Sequence, residues 1–184
     1  MPLREDEIEY RVDLKKELRK IKDPSDRERA AKLAGEEALR RLKQYVARGD
    51  SPVAGNKPFD KLSTAYAKQK KKLVGNSKAN LSLFGDMMGE LDVDFDDESF
   101  TIFIDEPEQM AKAYNHNVGD TVPKRSFIPN DEAKKGKNFK KDIVDAYKSK
   151  IKQFAKRLPK PKPEDEPEEY SGSLGSISIE DFFE

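Results

Sequence analysis

The sequence predicts an α+β fold, and three features of it carry the prediction. The stretch from Leu91 to Ile104 alternates apolar and polar residues with the two-residue period of a β-hairpin. Segments 24–48 and 139–158 carry apolar residues at the three- and four-residue steps of amphipathic helices. We expect an N-terminal helical hairpin, a small antiparallel sheet packed on a long C-terminal amphipathic helix, and an extended acidic C-terminal tail.

The composition limits the classes of protein that the chain can belong to. Of its 184 residues 35% are hydrophobic and 39% are charged, so we expect a core that is either thin or completed by other subunits. The absence of cysteine removes disulfides, thiolate metal sites and cysteine nucleophiles. No apolar run approaches the length of a membrane span, and the N-terminus lacks the pattern of a signal peptide. We therefore expect a protein that is made in a cytoplasm and has no membrane partner.

Residues 1–49 are predicted to form a helical hairpin. Its first helix, over residues 4–22, is inferred from apolar residues at helical spacing, namely Tyr10, Leu14, Leu18 and Ile21. Asp23 and Pro24 are typical of the cap and first position of a second helix, which runs to Arg48 and stops at Gly49. Its apolar stripe comprises Ala30, Leu33, Ala34, Ala38, Leu42 and Tyr45. We expect this hairpin to project and to pack on neighbouring subunits.

Residues 50–158 are predicted to form an α+β core. It begins with a loop over 50–60, because Pro and Gly interrupt helices and sheets alike, and continues with a short helix from Ser63 to about Lys72. Next comes the β-hairpin, with strands 91–95 and 100–104, whose acidic side should face water.

The second half of the core is predicted to be mostly helix and loop. A short helix starts at Glu106 and ends at Tyr114, and a loop follows to Pro129. The terminal helix starts between Asp131 and Asn138, with core residues Phe139, Ile143, Tyr147, Ile151, Phe154 and Leu158. Residues 159–184 are predicted to be a Pro-rich linker and an acidic tail.

No catalytic or metal-binding constellation stands out. His116 is the only histidine, so neither a histidine pair for a metal nor a histidine relay is available, and we expect it to be a turn residue. The run Asp92–Asp97 has alternating oxygen ligands but lacks the glycine and the twelfth-position Glu of a calcium loop. We predict no enzymatic activity, no cofactor and no metal site.

Four motifs occur in an order that resembles one family of bacteriophage proteins. They are Leu62–Lys68, Gly85-Asp86-Met87, Ala113–Gly119 and Pro123–Ile128. The pattern they resemble has an early Leu-Ser-x-x-Tyr-Ala-x-x-Lys, a Gly-x-Leu turn, a hairpin, an Ala-x-x-His-x-x-Gly segment and a Pro-x-Arg-x-Phe-Leu segment before the last helix. The family is the phage virion morphogenesis, or Mu-type tail completion, family, and the chain is more distantly similar to head–tail joining and tail terminator proteins.

The resemblance implies a structural virion protein of the neck or upper tail, assembled in the host cytoplasm. It implies a homo-oligomeric ring, taken as hexameric, around the DNA path, with the connector, tail tube or sheath as neighbours and non-specific contact with passing DNA. The motif residues implied to be structural are Tyr66, Gly85, His116, Gly119, Pro123, Arg125 and Phe127. Candidate contacts between subunits are the apolar residues near the C-terminus, Ile177, Ile179, Phe182 and Phe183.

The matched residues also have a physical interpretation of their own. Gly85 and Gly119 would allow a positive φ at turns. The segment Pro123–Pro129, called the strap below, would be extended, with Arg125 pairing with a carboxylate and Phe127 anchored in the core.

Charge is segregated along the chain although the formal net charge is zero. Residues 61–78 contain six lysines and no acid, 90–108 contain nine acids and no base, and the segment from Pro163 contains eight acids and no base. Such blocks suit head-to-tail contacts between subunits. Two alternatives stay open: a cytoplasmic nucleic-acid-binding accessory protein that uses the lysines, or a metal-dependent enzyme that uses the acidic run.

Overall fold

The computed structural model describes residues 8–81, 86–119, 122–129 and 138–159. These residues form a three-stranded antiparallel sheet and six helices, which confirms the α+β class. The strands are β1 (Glu9–Asp13), β2 (Leu91–Phe95) and β3 (Ser99–Ile104). The helices are α1 (Lys15–Leu18), α2 (Pro24–Arg48), α3 (Thr64–Val74), α4 (Asp86–Gly89), α5 (Pro107–Val118) and α6 (Lys141–Arg157). The acidic tail after Pro159 lies outside the described residues.

The predicted N-terminal helical hairpin is wrong, because its first helix is mostly a strand. β1 pairs antiparallel with β3, with Tyr10 opposite Ile102 and Val12 opposite Phe100. Besides the helical spacing, this segment carries a two-residue apolar period, and Ile8, Val12 and Leu14 are all buried. The pairing satisfies the outer edge of β3, so tertiary hydrogen bonding overrides the local helical pattern. Only Lys15–Leu18, a single turn, is helical.

Helix α2 has the predicted ends and crosses the centre of the fold. The Asp23 side chain accepts a hydrogen bond from the Asp26 N–H, Pro24 occupies the first turn, and Gly49 closes the helix at φ 86°. The helix does not project: one side packs on α6 and another on β2 and β3. Its buried face consists of Ala30, Ala31, Ala34, Gly35, Glu37, Ala38, Leu42 and Val46. Leu33, predicted to lie on this face, is 38% exposed.

The β2–β3 hairpin matches the prediction, with Asp92 and Asp94 on the wet side and Phe100, Ile102 and Ile104 in the core. The sheet packs mainly on α2 rather than on the terminal helix. Helix α6 lies against α2 and reaches the sheet through Tyr147, whose ring meets Phe100 edge to face at 5.5 Å. One core therefore contains residues from both 1–49 and 50–158.

The outer edge of the sheet at β2 is occupied by side chains of the same molecule. Asp92 Oδ1 accepts a hydrogen bond from the Val93 N–H, and Asp94 Oδ1 accepts one from the Phe95 N–H, both at 2.8 Å. Lys43 Nζ donates to the Leu91 carbonyl at 3.0 Å. These bonds engage backbone groups of an edge strand that pairs only with β3 among the described strands.

Two further predictions about helix ends need correction. Helix α5 continues four residues beyond the predicted end at Tyr114, so His116 lies in its last turn and is not a loop residue. Phe139 precedes α6 and forms an isolated β-bridge with Val53 instead of a helical turn. Helix α3 follows its prediction, with Ser63 as the N-cap whose hydroxyl accepts from the Tyr66 N–H.

Candidate functional site at the end of helix α5

The motif residues His116, Gly119, Arg125 and Phe127 come together where α5 ends and the strap begins. Gly119 ends the helix at φ 85°, with its N–H donating to the Asn115 carbonyl. A Cβ at this position would lie 2.5 Å from Lys124 Cβ and 3.0 Å from Lys124 Cα. Glycine is therefore required both by the left-handed backbone and by the close approach of the strap.

Hydrogen bonds from α5 hold the strap in place. The Arg125 N–H donates to the His116 carbonyl at 2.7 Å, and the Ser126 hydroxyl donates to the Asn117 carbonyl at 2.9 Å. Asn117 Oδ1 accepts from the N–H groups of Phe127 and Ile128 at 2.9 and 3.0 Å. Every one of these bonds joins the last turn of α5 to the strap, so the helix end sets the path of the following chain.

The strap is also bound on its other side and anchored in the core. Ser51 Oγ donates to the Ser126 carbonyl at 2.5 Å and accepts from the Val53 N–H at 3.2 Å. Phe127 is fully buried and Ile128 nearly so, which confirms the predicted anchoring of Phe127. The strap therefore joins the loop after α2 to the end of α5.

Arg125 is close enough to two other basic side chains, Lys70 and His116, for its charge to affect both. Lys70 is 2% exposed and its ammonium donates to the Lys78 carbonyl at 2.8 Å and to the Asn80 amide oxygen. Burial, followed by the charge of Arg125, lowers the pKa of Lys70 and lowers that of His116 to about 4. His116 is therefore neutral near pH 7.

Three buried polar atoms of this cluster have no hydrogen-bond partner in the part of the chain that the structure describes. They are His116 Nδ1, Asn117 Nδ2 and Arg125 Nε. The expected ion pair of Arg125 is not present among the described residues, because none of their carboxylates lies within ion-pair distance of it. Buried polar atoms without hydrogen-bond partners are rare in proteins, and each calls for a physical explanation.

The other predicted site residues lie apart from the cluster or outside the described part of the chain. Tyr66 lies on α3 and is 42% exposed. Pro123 starts the strap and is exposed. Gly85 and the candidate subunit contacts Ile177, Ile179, Phe182 and Phe183 fall outside the described residues.

The sequence prediction missed Lys70 and Asn117. A signal for Lys70 was present, because a Leu-Ser-x-x-Tyr-Ala-x-x-Lys pattern counted from Leu62 ends on Lys70 and not on Lys68. Asn117 had no comparable signal, since a buried amide that bonds two backbone N–H groups depends on where the strap runs.

The described residues also bear on metal binding and on membrane spanning. No group of three or more His, Cys, Asp or Glu side chains among them is arranged to hold a metal ion. Asp92 and Asp94 lie on the exposed face of β2, while Asp97 pairs with Arg27 at 2.6 Å. None of the described helices is long and apolar enough to cross a membrane.

Comparisons of this chain with protein-family models, with curated proteins and with solved structures found no match.

Proposed function

We propose that the protein is a structural component of a bacteriophage virion, located at the neck or upper tail, whose subunits form a ring around the DNA path. Its role is tail completion, tail termination or head–tail joining, and it has no catalytic activity. The observation that carries the proposal is that motif residues in the family order, His116, Gly119, Arg125 and Phe127, form one packed unit at the end of α5.

The mechanism is binding between complementary surfaces. A heterologous contact whose rotation closes generates a ring, taken here as hexameric. The outer face of α6 supplies exposed lysines for such contacts or for passing DNA, at Lys141, Lys150, Lys152 and Lys156. The acidic tail and its apolar residues Ile177, Ile179, Phe182 and Phe183 would contact an adjacent subunit or a neighbouring virion protein.

The native mass of the protein in solution tests this proposal. We would measure light scattering and negative-stain images for the full chain, for residues 1–158, and for a variant with Ile177→Ser and Phe182→Ser. We expect a ring for the full chain and loss of the ring for the other two. A matched control with Ser171→Ala and Ser173→Ala should keep the ring. A monomer at every concentration, with or without connector or tail-tube protein, would contradict the proposal.

A second candidate function rests on the lysine-rich surfaces of α3 and α6. Helix α3 exposes three lysines, Lys68, Lys71 and Lys72. They form a second basic surface in addition to the exposed lysines of α6. A monomeric accessory protein would bind DNA through such residues without reading its sequence. A monomer whose DNA affinity falls steeply with salt would favour this function over the ring.

A further inference from the structure

A cavity of about 260 Å³ lies between the loop after α2 and the strap. Three cationic side chains line it, Lys57, Lys124 and Arg125, together with the polar residues Ser51, Asn56 and Ser126. Lys57 and Lys124 are exposed at its mouth, while Arg125 is only 7% exposed. The one acid among the described lining residues, Asp60, is exposed and forms no ion pair with Arg125.

One donor of the Arg125 guanidinium is buried without an acceptor. Its Nε is enclosed and has no hydrogen-bond partner among the described residues. The buried carboxylate of Glu37, by contrast, is paired: it is 8% exposed and accepts from Arg40 at 2.6 Å and from Arg41 at 3.0 Å. A buried donor without an acceptor is unfavourable, so the Arg125 site is incomplete as the described residues stand.

The surroundings of Arg125 add positive charge instead of compensating for it. Among the described residues, the acceptors of the Lys70 ammonium are two neutral oxygens, from Lys78 and Asn80. The positive charge of Arg125 opposes protonation of Lys70 and of His116, so neither neighbour compensates for that charge. The described lining of the cavity has three positive charges, from Lys57, Lys124 and Arg125, and one negative charge, from Asp60. The excess of two positive charges suits a doubly charged anion better than a single carboxylate.

We propose that this cavity binds one phosphate group, held by the guanidinium of Arg125 inside and by the ammonium groups of Lys57 and Lys124 at the mouth. The planar fork of an arginine presents parallel N–H donors to two oxygens of one anion, which a lysine cannot do. The hydroxyls of Ser51 and Ser126 already bond the backbone, so the cations provide the recognition. The proposal is independent of the ring, because it concerns a site within a single chain.

Inorganic phosphate is the probe for the test. We would follow the thermal unfolding midpoint and titration calorimetry of the full chain against phosphate, with sodium chloride of the same ionic strength as the reference. A ligand that binds only the folded state raises the midpoint. We expect phosphate to raise it and chloride not to do so.

Variants assign the effect to the cavity. Arg125→Gln should weaken phosphate binding about tenfold or more, since a bidentate charge-assisted pair is lost, and Arg125→Lys should recover only part of it. Lys57→Gln and Lys124→Gln at the exposed mouth should each weaken binding by a smaller factor without affecting folding. Lys150→Gln, on the outer face of α6, is the matched control and should bind as the unmodified chain does.

The acidic tail is the alternative source of an oxyanion. The same titration on residues 1–158 distinguishes the two, because tail carboxylates in the cavity would compete with phosphate. Equal binding by both chains supports the phosphate site. Binding by residues 1–158 alone would assign the cavity to tail carboxylates and overturn the phosphate assignment, and no binding by either chain would overturn the proposal entirely.

Discussion

At the residue scale, the buried amide of Asn117 bonds backbone groups that strand pairing would bond in a sheet. Its Oδ1 accepts hydrogen bonds from two successive backbone N–H groups of the strap, and its backbone carbonyl accepts one from the Ser126 hydroxyl. Those N–H groups belong to buried residues and would otherwise lack acceptors. A side chain of fixed length therefore positions an irregular segment as strictly as strand pairing would.

His116 makes stability depend on pH. Burial and the charge of Arg125 lower its folded-state pKa to about 4 from an ordinary 6.5, so the unfolded chain binds the proton more readily. Its contribution to stability is complete above about pH 6.5 and is lost as the pH falls towards 4. We expect a loss of about 2 kcal/mol in the free energy of unfolding across this range, allowing for partial exposure of the ring.

Comparison with His116→Gln isolates this contribution in urea unfolding curves at a series of pH values. Carboxylates titrate in both chains, and the unmodified chain has no other histidine, so their difference reports His116 alone. The stability of the unmodified chain relative to the variant should rise with pH between about 4 and 6.5. A difference that stays constant over this interval would show that the ring is not shielded as described.

At the scale of secondary-structure elements, Gly35 sets the distance between helix α2 and the sheet. A Cβ on this residue would lie 2.6 Å from Val93 Cγ2 and 3.1 Å from Phe100 Cβ. The Phe100 atom adjoins the backbone of a central strand and cannot rotate away. The helix and sheet are therefore packed as closely as a bare glycine permits.

We predict that Gly35→Ala destabilises the protein by about 1–3 kcal/mol, because the helix must move off the sheet. Helix propensity alone predicts the opposite sign, a gain of about 0.5–1 kcal/mol for replacing a glycine inside a helix. The sign of the change in the free energy of unfolding, measured by chemical denaturation, therefore decides between the packing effect and the helix-propensity effect. Combining it with Val93→Ala should recover part of the loss, and a double variant with purely additive losses would count against the close contact.

Helices and strands whose ends or periods are encoded by neighbouring residues were predictable, and those that depend on distant partners were not. The cap at Asp23 and the stop at Gly49 predicted the ends of α2. Alternating apolar and polar residues around an acidic turn predicted β2 and β3. The segment of β1 carries both a helical and a two-residue apolar period, and the edge of β3, about ninety residues away, decides between them. The end of α5 was misplaced because Asn115 and Asn117 favour loops in isolation, whereas Asn117 is buried against the strap.

The same limit applies to the candidate site. Gly119 and Phe127 could be assigned a backbone and a core role from residue type alone. The unpaired state of Arg125 could not, because it depends on which acids the fold brings near, and the expected carboxylate does not appear among the described residues.

On the scale of the whole molecule, ion pairs join the N-terminal segment to the hairpin turn. Arg11 pairs with Asp96 at 2.8 Å, Lys15 with Glu98 at 2.8 Å and Arg27 with Asp97 at 2.6 Å. With Glu108, which pairs with Lys112 at 2.6 Å, four acids of the 90–108 block form ion pairs within the chain. Complementary contacts between subunits through this block would use its other acids, such as the exposed Asp92 and Asp94.

We predict that residues 50–158 do not fold without residues 1–49. The deletion would remove β1 and the alanine-rich face of α2, against which the sheet and α6 pack. Circular dichroism should show an unfolded fragment, while residues 1–158 should unfold cooperatively near the full-length midpoint. A cooperative transition in the 50–158 fragment would show that the two segments are separable domains.

The capped edge of β2 has a consequence for how copies of this chain can meet at high local concentration. With Asp92, Asp94 and Lys43 engaging the Val93 N–H, the Phe95 N–H and the Leu91 carbonyl, a foreign strand finds few open partners for backbone pairing. Molecules crowded side by side would thus be kept from pairing their sheets through this edge. Association at β2 would depend on side-chain recognition, which is reversible and can be made selective for one partner.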